Sequence, residues 1–138
     1  WVVAGSPGYL KRFGVPQHPD DLLQHRCLRI RLGNGAMYDW EFEKGGEQLA
    51  IAVPGCITID ETRVGLSLVR QGAGLMYAPE PAMASLVEGG EVVRVLDDWS
   101  SVAPGFHLYF SSHRQVPMGL TLLIDLIREL KPMGECVA

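Results

Sequence analysis

The stretch Gly105-Phe106-His107-Leu108-Tyr109-Phe110-Ser111-Ser112-His113-Arg114-Gln115-Val116-Pro117 decides how this chain is read. Phe106, Leu108 and Phe110 alternate with His107, Tyr109 and Ser111, the period of a strand with one buried face. Pro117 suits the first turn of a helix. Leu120, Leu123, Ile124, Ile127 and Leu130 then recur along one helical face. A chain that closes with strand, basic turn and amphipathic helix needs a surface for that helix to lie against, and the rest of the sequence does not obviously supply one.

Upstream, short helices and strands alternate. Trp1 to Ala4 reads as extended. Ser6 is a good N-cap, Pro7 fits the first helical position, and Gly14 can close a short helix with a positive φ. Pro19 to His25 repeats the pattern, with acids in the first turn and an imidazole in the last. Cys27 to Leu32 reads as a strand and Asn34-Gly35 as a turn. Trp40 and Phe42 then face one way, Gly45-Gly46 turns the chain, and Leu49, Ile51 and Val53 alternate on the return, which is a hairpin signature. After Pro54-Gly55, Cys56 to Ile59 is extended. Asp60 is expected to cap a helix over Glu61 to Gln71, ended by Gly72 and Gly74. Leu75 to Tyr77 is a brief strand, Pro81 opens a helix stopped by Gly89-Gly90, and Val92 to Leu96 is a further strand. Such alternation argues for an α/β fold with a mixed sheet.

Composition narrows the function classes. The 138 residues suffice for one domain with a real core, and 47% hydrophobic with 20% charged residues describes a globular protein. Twelve basic against sixteen acidic residues, net −4 and without a Lys/Arg run, argue against a nucleic-acid surface. No apolar run approaches the ~20 residues of a membrane helix, and no signal peptide is visible, so a cytoplasmic location is expected. Cys27, Cys56 and Cys136 are odd in number and lack CxxC spacing, which fits neither a disulfide framework nor a zinc site. The chain begins Trp1-Val2-Val3, as a fragment or a processed form of a longer protein would.

Catalytic constellations are thin. Ser6, Ser67, Ser85 and Ser111 lack a GxSxG context. Cys27 follows His25, yet residues at a strand entry usually point apart, and a buried structural cysteine is the better reading. His18, His25, His107 and His113 show no metal-ligand spacing. Gly72-Ala73-Gly74 follows a helix instead of opening one, so it is no phosphate loop. Neither an enzyme nor a cofactor or metal site is expected.

Several segments, in order, carry a family resemblance. Val3-Ala4-Gly5-Ser6-Pro7-Gly8-Tyr9-Leu10 with Phe13-Gly14-Val15-Pro16 resembles an "SPxYL…hGxP" pattern. Pro19-Asp20-Asp21-Leu22 with His25-Arg26-Cys27-Leu28 resembles "PxDLxxHxCL". Trp40-Glu41-Phe42 with Gly45-Gly46-Glu47, Gly72-Ala73-Gly74-Leu75 before Ala78-Pro79-Glu80, Gly90 to Trp99 and Leu108 to Gln115 complete the series. Over residues 1 to about 130 the chain resembles the C-terminal effector-binding (substrate-binding) region of LysR-type transcriptional regulators.

That resemblance implies a type 2 periplasmic-binding-protein-like architecture: two α/β lobes joined by crossover strands, with ligand in the cleft. On this reading, residues 5–110 hold one complete lobe, a mixed sheet flanked by helices. Residues 106–131 hold the returning crossover and a C-terminal helix of the other lobe, and 132–138 form a tail. No helix-turn-helix segment is present, so DNA contact would fall to a domain outside these residues. The exposed stripe of Leu120, Leu123, Ile124, Ile127 and Leu130 would cost about 1.5–3 kcal/mol for each side chain left in water. It is therefore expected to find a partner surface, by exchange of the helix in a homodimer or by folding back on its own sheet.

Open α/β sheets collect ligands at helix N-termini and at the carboxyl ends of strands. That rule, with the resemblance, makes Ser6 and Pro7, Arg31, Gly33 and Tyr38, Asp60, Glu61 and Thr62, and Tyr77 the expected contacts of an unknown small-molecule effector. Three have a plainer alternative: Ser6 and Asp60 as helix caps, Arg31 as a solvent-facing strand residue; Trp40 and Phe42 read as core before an aromatic cage. Two functions follow, the sensing module of a transcription regulator or a stand-alone binding or interaction module derived from one.

Overall fold

The computed structural model describes residues 1–102 and 117–130. The chain divides into two units, Trp1–Val102 and Ala103–Ala138.

The first unit is built on a mixed sheet. Strand β1 (Val2–Gly5) runs antiparallel to both β7 (Met76–Ala78) and β8 (Val93–Val95). Strand β2 (Leu28–Arg31) runs parallel to β6 (Ile57–Ile59), and its far end pairs with the short β3 (Met37–Tyr38). Leu28 N–H donates to Leu75 O and Leu75 N–H to Arg26 O, both at 2.8 Å, which joins the two groups in parallel fashion. The resulting order is β6-β2-β7-β1-β8, with β1 alone reversed. Gly74 permits this joint, because a side chain there would collide with the Arg26 carbonyl.

Local signals placed most elements where the sequence put them. Ser6 caps α1 (Pro7–Phe13), accepting from Tyr9 N–H at 3.2 Å, and Gly14 closes it at φ 90°. The Pro19–Gln24 segment is a 3-10 helix whose cap is His18, with Asp21 Oδ2 accepting from His18 N–H at 3.0 Å. The hairpin forms as read: β4 (Trp40–Lys44) pairs with β5 (Glu47–Ile51) through Gly45 and Gly46, both at positive φ as a type I′ turn requires. Helices α2 (Thr62–Arg70) and α3 (Glu80–Glu88) follow β6 and β7. In the second unit, α4 (Met118–Leu130) is the helix expected after Pro117, and Leu120, Leu123, Ile124, Ile127 and Leu130 share one of its faces. The strand expected over Phe106 to Ser111 lies outside the described residues.

Alternation along the strands splits the core in two. Val3, Tyr77 and Val95 face a layer made of the β4–β5 hairpin, α1 and Trp99, in which Trp40 and Phe42 are buried. Val2, Ala4, Met76 and Ala78 face Val69 of α2 and Met83 and Leu86 of α3. The expected flanking by helices therefore holds fully for one face only. On the other, the hairpin's Trp40 and Phe42 share the cover with α1's Tyr9 and Leu10.

Candidate functional site

Strand direction determines which expected contacts can meet. Parallel β2 and β6 end together, Ile30 opposite Ile59, so the next residues on each, Arg31 and Asp60, emerge side by side. Arg31 Nη2 donates to Asp60 Oδ2 at 2.7 Å. This contact holds the Asp60 carboxyl below the usual carboxylate range, first through the hydrogen bond and then through the charge. Arg31 is the solvent-facing strand residue of the plainer reading, and it pairs a carboxylate at the sheet edge.

The same contact corrects the expected role of Asp60. Helix α2 begins at Thr62, its cap is Glu61, and no side chain bonds to the first-turn N–H groups. Asp60 is drawn to Arg31, twenty-nine residues earlier. The N-terminus of α2, with its partial positive charge, stays without a side-chain cap beside an exposed guanidinium. Glu61 and Thr62 are exposed there. Gly33 lies nearby in chain, in the turn closed by Leu32 N–H to Ala36 O at 2.8 Å.

An aromatic cluster adjoins this edge. Tyr38 pairs with Ile30, and its ring lies 6.2 Å from Tyr77 and 6.1 Å from Trp1. Trp1 stacks on Tyr77 at 5.1 Å, and Trp40 stacks on Tyr77 at 5.5 Å. Glu41 ties the group together: its carbonyl accepts from the Tyr77 hydroxyl and its carboxylate from the Tyr38 hydroxyl, each at 2.8 Å. Burial, foremost, raises the pKa of both phenols, so they are hydrogen-bond donors throughout the neutral range. Tyr77 is buried, so a ligand would meet the half-buried Trp1 and Tyr38 before it. Trp1 and Glu41 were absent from the sequence-derived set. The outward position of Glu41 between Trp40 and Phe42 was the available signal.

Ser6 and Pro7 do not join this group. Strand β1 runs against β7, so Ser6 leaves the sheet at the end where β7 begins and lies against Gly72. Arg31 stands at the opposite edge, roughly 15 Å along the strands at ~3.3 Å per residue. The expected contacts therefore form two sets: Arg31, Gly33, Tyr38, Asp60, Glu61, Thr62 and Tyr77 on or near the carboxyl edge, and Ser6 and Pro7 away from it.

Cys27 behaves as a structural thiol. It is 2% exposed, and burial pushes its pKa up to about 12, which leaves no thiolate for chemistry at neutral pH.

The sheet order, with β1 reversed between β7 and β8, is that of a periplasmic-binding-protein-like α/β lobe. A profile of the LysR substrate binding domain matches residues 1–132, and the chain belongs to that family. The Escherichia coli protein named "uncharacterized HTH-type transcriptional regulator YcaN" is 36% identical over 126 residues, 91% of this chain and 41% of that protein. The chain thus spans about two fifths of the length of that relative. YagP of E. coli, named for a LysR family substrate binding domain, is 34% identical over 106 residues, covering 76% of this chain and 78% of YagP. Among solved structures, the full-length Vibrio cholerae virulence activator AphB superposes with TM-score 0.64 at 27% identity over 73% of this chain and 34% of its own. The regulatory domain of Vibrio vulnificus AphB gives TM-score 0.69 at 21% identity over 93% of this chain and 63% of its own, a likeness of fold. The chain is a LysR substrate binding domain, and relatives it matches are named as transcriptional regulators.

Proposed function

We propose that the carboxyl edge of β2 and β6 is this lobe's contribution to an effector site in a LysR-type regulator, and that its ligand is a small anion bearing a carboxylate. The observation that carries the reading is the Arg31–Asp60 pair, held by parallel strands beside the uncapped N-terminus of α2. A ligand carboxylate takes the place of Asp60 on the guanidinium and gains the first-turn N–H groups of α2. Tyr38 and Trp1 offer it an apolar wall. The ligand shifts the regulator between arrangements by binding one of them better. The regulator works in the cytoplasm, and DNA contact belongs to a helix-turn-helix segment carried elsewhere in it.

Oligomerisation is part of the same proposal. The face of α4 formed by Leu120, Leu123, Ile124, Ile127 and Leu130 supplies a homodimer contact, with the helix exchanged between protomers.

A thermal-shift screen of small mono- and dicarboxylates tests the site. Ligand at a hundredfold its Kd stabilises the fold by about 2.7 kcal/mol, and Arg31→Gln abolishes that gain. A ligand whose effect survives Arg31→Gln contradicts the proposal.

The match to YagP favours a second reading. Most of that protein is covered by this domain, so a stand-alone binding module derived from a regulator is a form this fold can take.

A further inference from the structure

Five cations among the described residues sit in ion pairs: Arg31, Lys44, Arg70, Arg94 and Arg128. Lys11, Arg12, Arg26, Arg29 and Arg63 do not, and the chain as a whole carries a net charge of −4. Two of these, Arg12 and Arg26, both exposed, meet at one exposed aromatic ring. The guanidinium carbons of Arg12 and Arg26 each lie 5.1 Å from the centre of Phe13, at the end of α1. Tyr9 packs on the same ring at 4.7 Å.

The C-terminal end of the α1 dipole accounts for Lys11 and Arg12. It does not account for Arg26, which comes from the entry to β2 and is held there by both backbone groups. Arg26 N–H donates to the Tyr9 hydroxyl at 2.9 Å, and Arg26 O accepts from Leu75 N–H at 2.8 Å. Stacking on Phe13 restrains both guanidinia while leaving their N–H edges free of any carboxylate among the described residues. Phe13 itself is 39% exposed.

We propose that the Arg12–Phe13–Arg26 surface is a docking site for an acidic polypeptide segment of a partner protein, one that presents carboxylates to the two guanidinia and an apolar side chain to Phe13. Charge complementarity argues for that occupant, since two restrained forks suit paired carboxylates. A nucleic-acid backbone suits it less, because two cations make a small footprint for a phosphate chain. This surface is independent of the effector reading.

The test is fluorescence anisotropy of the full chain with a labelled short Asp/Glu-rich peptide carrying one Trp, at low and at physiological salt. The expected result is salt-sensitive binding that Arg12→Gln with Arg26→Gln weakens at least about tenfold. Phe13→Ala weakens it further, and Lys44→Gln, a cation removed elsewhere, leaves it unchanged. If the double variant melts early, Arg12→Gln alone on the exposed helix carries the same test. Absence of peptide binding, equal binding by the arginine variants, or tighter binding of a single-stranded oligonucleotide of matched charge overturns the proposal.

Discussion

Arg31 and Asp60 stand 2.7 Å apart at the carboxyl ends of two adjacent parallel strands, and each is more than half exposed. An exposed pair of this kind adds little to stability, so its interest lies in what it holds ready. Asp60 occupies the guanidinium that a ligand carboxylate would seek. We expect Asp60→Asn to change the melting temperature little while tightening carboxylate binding. We also expect the Asp60 carboxyl, followed by carbon-detected NMR titration, to rise toward the ordinary Asp value in Arg31→Gln. A titration midpoint that ignores Arg31→Gln would remove the pair from the account.

Tyr77 is buried at the centre of the aromatic cluster, and its hydroxyl donates to Glu41 O at 2.8 Å. Tyr77→Phe leaves that acceptor without its donor and costs about 1–2 kcal/mol in urea denaturation. A neutral result would mean that the cluster is held by stacking alone.

Gly74 lies against the Arg26 carbonyl, which accepts the hydrogen bond from Leu75 that joins β7 to β2. A methyl group there forces the two chains apart. Gly74→Ala should cost roughly 1–3 kcal/mol, whereas Gly33→Ala, whose Cβ meets open space, should cost far less. Equal urea midpoints for the two variants would contradict the close approach.

The pKa of His25 is lowered by burial, with Asp21 opposing the shift weakly. The unfolded chain therefore takes up a proton as pH falls through about 6.5 while the folded chain resists it. Stability should decline from pH 7 to pH 5, and His25→Gln should flatten that decline. The Asp21 carboxyl, lowered by the backbone N–H groups of Gln17 and His18, acts in a separate and more acidic window. Its contribution is lost only as pH falls through its depressed pKa. A urea midpoint unchanged between pH 7 and pH 5 would show that His25 titrates alike in both states.

The stripe on α4 predicts self-association. Light scattering on a sizing column should give the mass of a dimer, and Leu123→Glu with Ile127→Glu should dissociate it or leave the chain insoluble. A dimer that survives both changes has its interface elsewhere.

Much of the local structure was legible in the sequence because its causes are local. Ser6 and Gly14 bound α1, and Gly45-Gly46 selects the hairpin turn, by steric and hydrogen-bonding rules that act over a few residues. The helix after Pro117 follows from its apolar period. What escaped was set at a distance. Asp60 looked like a helix cap because nothing nearby competes for it, yet Arg31 reaches it from another strand. Ser6 and Arg31 looked like members of one site because both follow strands. The reversed direction of β1 sends them to opposite edges, and strand direction is not written in any short pattern.

The most direct test of the effector site is amide chemical-shift mapping of the chain as the best carboxylate from the thermal screen is added. The account predicts shifts concentrated at Arg31 to Gly33, Tyr38 and Asp60 to Thr62, with Ser6 to Gly8 and Gly72 undisturbed. Shifts concentrated at Ser6 and Gly72, or none at the carboxyl edge, would contradict it.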